Sequence, residues 1–140
     1  MALVYFDASA LVKLCVPEAG TDLAGALWNR ADVVVTSCLS DVELRATLAA
    51  GERAGVLDPA GHRRAVERWS RFWPALHRVE VTESLAQQAA GLAAGTHPLR
   101  GADAVHLAGA LAVAQEDTIL AAWDERVAAA GRSHGLRVLP

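Results

Sequence analysis

Cysteine is nearly absent from this chain of 140 residues, with only Cys15 and Cys38. Two are too few for a disulfide framework. Both sit among apolar neighbours, and both are expected to be buried thiols. Lysine is scarcer still: Lys13 is the only one, and every other basic residue is arginine. Arginine favours bidentate contact with phosphate or carboxylate. Positive charge is not in excess, because 13 basic and 16 acidic residues leave a net charge of -3. That excludes a protein that grips nucleic acid by bulk charge, so any such contact is local. No Cys/His cluster stands at metal-ligand spacing, which disfavours zinc. No apolar run approaches the roughly 18 residues of a membrane span. Ala102–Ala114 is apolar but too short, and it carries His106. No basic leader or cleavage site precedes the first apolar run, so a soluble, cytoplasmic protein is expected. Repeats, low-complexity tracts and interdomain linkers are missing too, and one domain over residues 1–140 is expected.

What is present is apolar content, at 53% of residues, with four Trp, one Tyr and two Phe. Disorder is excluded by this composition. A chain of this length buries roughly 68% of its unfolded surface. Short β-prone runs alternate with alanine-rich segments. The strand candidates are Ala2–Phe6, Asp32–Thr36, His77–Val81, Thr118–Ala121 and Leu136–Leu139. The helix candidates are Ser9–Cys15, Thr21–Arg30, Leu39–Ala54, Pro59–Trp73, Glu83–Ala94, Gly101–Gln115 and Glu125–Ser133. Pro17, Gly20, Gly55, Pro59, Pro74, Gly95, Pro98 and Gly135 fall between or at the ends of these segments, and Gly131 falls in the last turn of Glu125–Ser133. The alternation predicts an α/β fold with a mostly parallel sheet of about five strands. Sites in such folds gather at the carboxyl ends of strands.

Four acids sit where acids are hard to explain. Asp7 ends the first apolar run, and Asp124 follows Ile119-Leu120-Ala121-Ala122-Trp123. Asp7 is either a turn residue leading to a Ser9 N-cap or a site acid. Asp124 is either the N-cap of the last helix or a site acid. Glu43 fits a capping box with Ser40. Helical spacing instead sets it in a row with Leu39, Ala46 and Ala50, away from Asp41, Arg45 and Glu52. Asp103 opens the nearly uncharged stretch Ala102–Ala114, a helix expected to be buried almost all round. The helix dipole stabilises an acid there and equally favours one that ligates metal. His106, one turn on, reads more simply as a hydrogen-bonded core residue than as a ligand, since hard metals prefer oxygen. Burying several carboxylates together is costly, so convergence of the four requires a positive charge among them. Oxygen ligands of this kind suit Mg²⁺, or Mn²⁺.

The order of these motifs carries a resemblance. Val4-Tyr5-Phe6-Asp7-Ala8-Ser9-Ala10-Leu11-Val12-Lys13 resembles the opening of PIN-domain proteins, and Ser37-x-x-Ser40-x-x-Glu43-Leu44-Arg45 their second acidic motif. Leu99-Arg100-Gly101-Ala102-Asp103-Ala104-Val105-His106-Leu107-Ala108 resembles the third, and Trp123-Asp124-Glu125-Arg126-Val127 the fourth. The whole chain is similar to VapC-type toxins of prokaryotic toxin–antitoxin pairs. It departs from many relatives at Ala122, where they carry Thr or Ser. The resemblance implies a three-layer PIN-like domain and a Mg²⁺-dependent endoribonuclease acting as a toxin. It implies Asp7, Asp103 and Asp124 as metal ligands, Glu43 as a ligand or water-orienting base, and Ser9 as a supporting group. It also implies an RNA substrate, a homodimer and an inhibitory antitoxin.

Outside the motifs, Arg64, Arg68 and Arg71 recur at helical spacing. They form either a contact for RNA or a partner, or a solvated helix face. Trp28, Trp69, Phe72 and Trp73 nearby pack the core or line a partner surface. Two other functional classes fit less well. A Mg²⁺-dependent phosphatase or phospho-receiver usually needs a lysine late in the chain, and Lys13 is early. A catalytically weak PIN-fold binding or scaffold protein would be expected to have lost acids, and all four are present.

Overall fold

A computed structural model describes Met1–Pro140 throughout. Its elements run β1 (Leu3–Phe6), α1 (Ala8–Cys15), α2 (Thr21–Arg30), β2 (Val33–Ser37), α3 (Ser40–Arg53) and α4 (Pro59–Phe72). A 3₁₀ turn at Trp73–Ala75 leads into β3 (His77–Val79). The chain continues with α5 (Glu83–Ala93), α6 (Gly101–Val113), β4 (Ile119–Ala121), α7 (Glu125–Ser133) and β5 (Arg137–Leu139). The strands form one sheet in the order β3-β2-β1-β4-β5, parallel at every pairing and not merely mostly so.

β1 is the central strand. Val4 pairs with Val34 on one side and Ile119 on the other. Its four residues are all buried, as a parallel strand covered on both faces requires. Alternation along β1 then divides the core. Leu3 and Tyr5 pack with Leu107 of α6 and Val127 of α7. Val4 and Phe6 pack with Leu11 of α1, Leu44 of α3 and Trp69 of α4. Helices therefore cover both faces of the sheet, in three layers. The strand order reverses between β1 and β4, which opens a crevice at their carboxyl ends.

Several boundaries differ from expectation for local reasons. β3 stops at Val79 because its ladder partner, Ser37, ends β2. α6 is buried only through its middle, Ala104 and His106–Ala110, while Ala112 and Ala114 are exposed. Cys15 is buried, and burial pushes its thiol pKa up to about 12. Cys38 is exposed, contrary to the apolar reading, because it sits just past the end of β2. The aromatic cluster is core: Trp69 is fully buried, and Trp28 meets Phe72 edge-on at 4.9 Å. No helix is long and apolar enough to cross a membrane.

Candidate active site

Asp7 sits where β1 leaves the sheet. Its backbone N–H donates to Ala121 O at 3.2 Å, so it lies beside the end of β4. Its side chain, not Ser9, caps α1: Oδ1 accepts from the Ala10 N–H at 3.0 Å. Ser9 lies inside the first turn. Its hydroxyl donates to Asp7 Oδ1 at 2.6 Å and accepts from the Trp123 N–H at 2.9 Å. One hydroxyl thus ties the first acid to the loop that carries Asp124. Ala122, where relatives place a hydroxyl, is instead part of the apolar core.

Asp7 is 3% exposed. Burial pushes its pKa up to about 6; the bonds from Ser9 and Ala10 and the field of His106 oppose this, and Asp103 adds to it. No Arg or Lys pairs with it. Every fully enclosed side-chain polar atom has a partner, so Asp7 Oδ2, which accepts no hydrogen bond, keeps a small contact with solvent.

Glu43 enters from α3, but not on that helix's buried stripe. The stripe is Ser40, Leu44 and Leu48, and the expected companions Ala46 and Ala50 are exposed. Nor does Glu43 share a capping box with Ser40. The Ser40 hydroxyl bonds Thr36 Oγ1 at 2.7 Å, and Thr36 donates to Phe6 O at 2.7 Å. Glu43 Oε1 instead meets His106 Nε2 at 2.6 Å. His106, buried on α6, bonds Tyr5 OH through Nδ1 at 3.0 Å. Asp103, one turn before His106, accepts from the Arg100 N–H through Oδ2 at 3.2 Å.

Asp124 caps α7, with Oδ1 accepting from the N–H groups of Arg126 at 2.8 Å and Val127 at 3.4 Å. Burial acts to raise its pKa, but the Arg126 N–H and guanidinium and the Val127 N–H outweigh it, and the net shift is downward. Asp7, Glu43 and Asp103 therefore share one corner: the fields of Asp7 and Glu43 both reach Tyr5, and that of Asp103 reaches Asp7. Asp124 joins it through Trp123 and Ser9.

As placed, no group of three His, Cys, Asp or Glu side chains forms a cage for a metal ion. Donor chemistry nonetheless fits a hard dication, being all carboxylate. Asp7 Oδ2, Glu43 Oε2 and Asp103 Oδ1 are each free of intramolecular hydrogen bonds. On the Asp124 side, bordered by the Ser9 that holds Asp7, is a cleft of about 330 Å³ lined also by Val12, Lys13, Glu18 and Trp123. Lys13 Nζ lies 5.4 Å from the Trp123 ring centre and bonds Glu18 at 3.1 Å and Ala19 O at 2.7 Å. Gly20, at φ 92°, makes room here: a Cβ would fall 2.6 Å from Trp123 Nε1.

A larger cleft of about 420 Å³ holds Arg64 and Arg68 beside Cys15, Val16 and Leu57. It lies at the far end of α1, about 12 Å along the helix from Asp7, and has none of the four acids. Arg68 donates to Cys15 O at 3.0 Å, while Arg64 and Arg71 are exposed. The fold does not bring these arginines to the acids.

The model of the PIN domain family matches residues 4–132. The chain belongs to the PIN-domain family. Within it, the chain is 46% identical over 140 residues to Ribonuclease VapC45 of Mycobacterium tuberculosis (strain CDC 1551 / Oshkosh). It has the same identity to Ribonuclease VapC49 of strain ATCC 25618 / H37Rv; each match covers all of this chain and 96% of the relative. Ribonuclease VapC46 of the latter strain is 33% identical, with 99% of this chain and 98% of that protein covered. Two crystal structures share the fold. VapC20 of Mycobacterium tuberculosis, a sarcin-ricin loop cleaving toxin, aligns with TM-score 0.68 and 23% identity over 91% of this chain and 95% of that one. FitAcB from Neisseria gonorrhoeae aligns with TM-score 0.70 and 17% identity over 98% and 96%.

Two features of this PIN-domain site escape a reading of the motifs alone. Tyr5 reads simply as one more apolar strand residue. Its signal is chemical: a phenol on a fully buried central strand must find a partner. Lys13 and Trp123 are adjacent only because α1 and the loop after β4 meet.

Proposed function

We propose that this chain is an endoribonuclease of the VapC type, the toxin of a toxin–antitoxin pair, hydrolysing RNA phosphodiesters with Mg²⁺ or Mn²⁺. The observation that carries the site assignment is Asp7: a buried carboxyl with no Arg or Lys partner, raised pKa and one oxygen free of hydrogen bonds in an acidic corner. With its pKa near 6 this carboxyl is largely ionised at neutral pH yet has no Arg or Lys beside it, so an arriving cation is favoured there. Full-length identity of 46% to proteins named ribonucleases supports the reaction class.

Asp7, Asp103 and Asp124 would hold the metal, directly or through water. When bound, a divalent ion supplies charge neutralisation at the phosphate and lowers the pKa of an attacking water. Glu43, whose Oε2 accepts no intramolecular hydrogen bond, would accept that water's proton. Ser9 holds Asp7 Oδ1 so that Oδ2 remains available. Exposed Arg64 and Arg71 are contacts for the RNA backbone or the antitoxin; Arg68 is committed to Cys15. The working unit is one domain over residues 1–140, paired as a homodimer.

The test is cleavage of a structured RNA by purified protein with Mg²⁺ or Mn²⁺, with excess chelator, and with Asp103→Asn. Cleavage that needs the metal and vanishes in the variant is expected, as is Mn²⁺ binding by calorimetry that weakens in Asp7→Asn. Undiminished metal-dependent cleavage by Asp103→Asn would sink the site assignment.

A further inference from the structure

We infer that Tyr5 and His106 form a brace that orients the Glu43 carboxylate, and that Gly109 makes room for it. Three separate elements meet in this brace: β1 supplies Tyr5, α6 supplies His106 and Gly109, and α3 supplies Glu43. The inference rests on the nuclease reading for its effect on rate, but its geometry stands by itself.

Hydrogen-bond chemistry gives the brace a direction. An ionised carboxylate only accepts, so the hydrogen between His106 and Glu43, at 2.6 Å, belongs to Nε2. In the neutral ring Nδ1 is then an acceptor with the Tyr5 O–H at 3.0 Å as its donor, whereas a protonated ring donates from both nitrogens; in either form the Nε2 hydrogen is directed to Glu43. The two rings meet edge-on, at 5.9 Å and 78°. The bonds therefore link Tyr5 through His106 to Glu43 Oε1, leaving Oε2 free of intramolecular hydrogen bonds.

Space for the phenol is made one turn along α6. Gly109 is buried, and a Cβ there would stand 2.9 Å from Tyr5 OH and 3.4 Å from two ring carbons. Any larger residue drives the hydroxyl off His106. Glu43 itself is 22% exposed and touches no other hydrogen-bonding side chain. Without His106 nothing in the structure would select one carboxylate orientation. His106 is thus a positioning residue that acts through Glu43.

Nitrogen-15 NMR of histidine-labelled full-length protein tests the brace without any activity, with the His106 signal assigned by its loss in His106→Gln. The Nε2–H tautomer is expected in the wild type, and a tautomer mixture in Tyr5→Phe and Gly109→Ala. Kinetics then test its effect. Tyr5→Phe is expected to lower kcat about 3–10-fold, the scale of one neutral hydrogen bond, with KM for RNA nearly unchanged. His106→Leu is expected to lower kcat by about 10–100-fold, as for outer residues that orient a ligand. His106→Gln, whose amide can still donate to Glu43, should recover most of that loss. In a Glu43→Gln background the His106→Leu loss should disappear. An Nδ1–H tautomer in the wild type overturns the brace, and so does a His106→Leu loss that persists undiminished beside Glu43→Gln. If the wild type cleaves no RNA with either metal the nuclease reading fails, and the tautomer still decides the brace. If Asp103→Asn is inactive and the tautomer is Nδ1–H, only the brace fails.

Discussion

Strands β1 and β4 leave the sheet side by side, and each hands over to a helix through an aspartate that caps it. The two aspartates end in opposite electrostatic states. Asp7 is buried, faces the field of Asp103, and has its pKa pushed up to about 6. Asp124 is partly open, lies against the N–H and guanidinium of Arg126, and has its pKa held down. Capping is common to both, so capping does not mark either as a ligand or exclude it. The difference is compensation. Asp124 is already satisfied by its own helix. Asp7 carries a charge that the chain leaves unbalanced, and this is the state expected of an acid waiting for a cation.

The largest expected effect that sharpens this contrast is on cleavage. Asp7→Asn should reduce single-turnover RNA cleavage by about 10²–10³-fold, the scale of losing one preorganised electrostatic group. Asp124→Asn should reduce it by about 10–100-fold, nearer to an outer ligand. Equal losses would erase the distinction between the two acids.

Next comes stability. A raised pKa means that the folded state binds the Asp7 proton more tightly than the unfolded chain does. The stabilisation is full below the ordinary aspartate pKa and is lost as pH rises through about 6. Asn keeps the acceptor for Ser9 and Ala10 and removes the charge. Without metal, Asp7→Asn should therefore be more stable than the wild type at pH 7.5, by about 1–3 kcal/mol. That gain should fade by pH 4, as read by urea unfolding. A variant less stable at both pH values would contradict the account of Asp7 as uncompensated.

Asp124 should behave in the opposite way. Asp124→Ala should cost about 1 kcal/mol at neutral pH through the lost cap. Because its folded pKa is depressed, the charged cap's contribution is present above the ordinary carboxylate range and lost as pH falls through the lowered value. Urea midpoints at pH 7 and pH 3 measure this. Smallest is Arg126→Gln, expected to cost under about 1 kcal/mol as a partly exposed pair. It should move the Asp124 titration upward by NMR and leave that of Asp7 where it was. Coupled movement of both would show that the two ends of the site are not electrically separate.

The elements were legible along the chain because glycine, proline and apolar period act locally. Thr21–Arg30 and Glu125–Ser133 fall at the expected bounds, and the strands begin or end within two residues of theirs. Positions whose environment depends on distant chain were harder to read. Cys38 has apolar neighbours in sequence but is exposed in the fold. Ala46 and Ala50 share a helical row with Glu43, yet both alanines are exposed because α4 and the sheet take the Ser40–Leu44–Leu48 side. Ser9 looked like a cap, but Asp7, two residues earlier, has the extended backbone that a cap requires.

By itself the sequence determined the alternation of strands and helices, the four acids and their family resemblance, because these follow from local conformational preference and from motif order. Tertiary structure alone decided which acid is left uncompensated, that Ser9 links Asp7 to the Trp123 loop, and that Tyr5 reaches Glu43 through His106. The physical reason is distance. Burial, fields and hydrogen bonds act over a few ångströms between residues far apart along the chain, and only the packed sheet and its two helical layers bring them within that range.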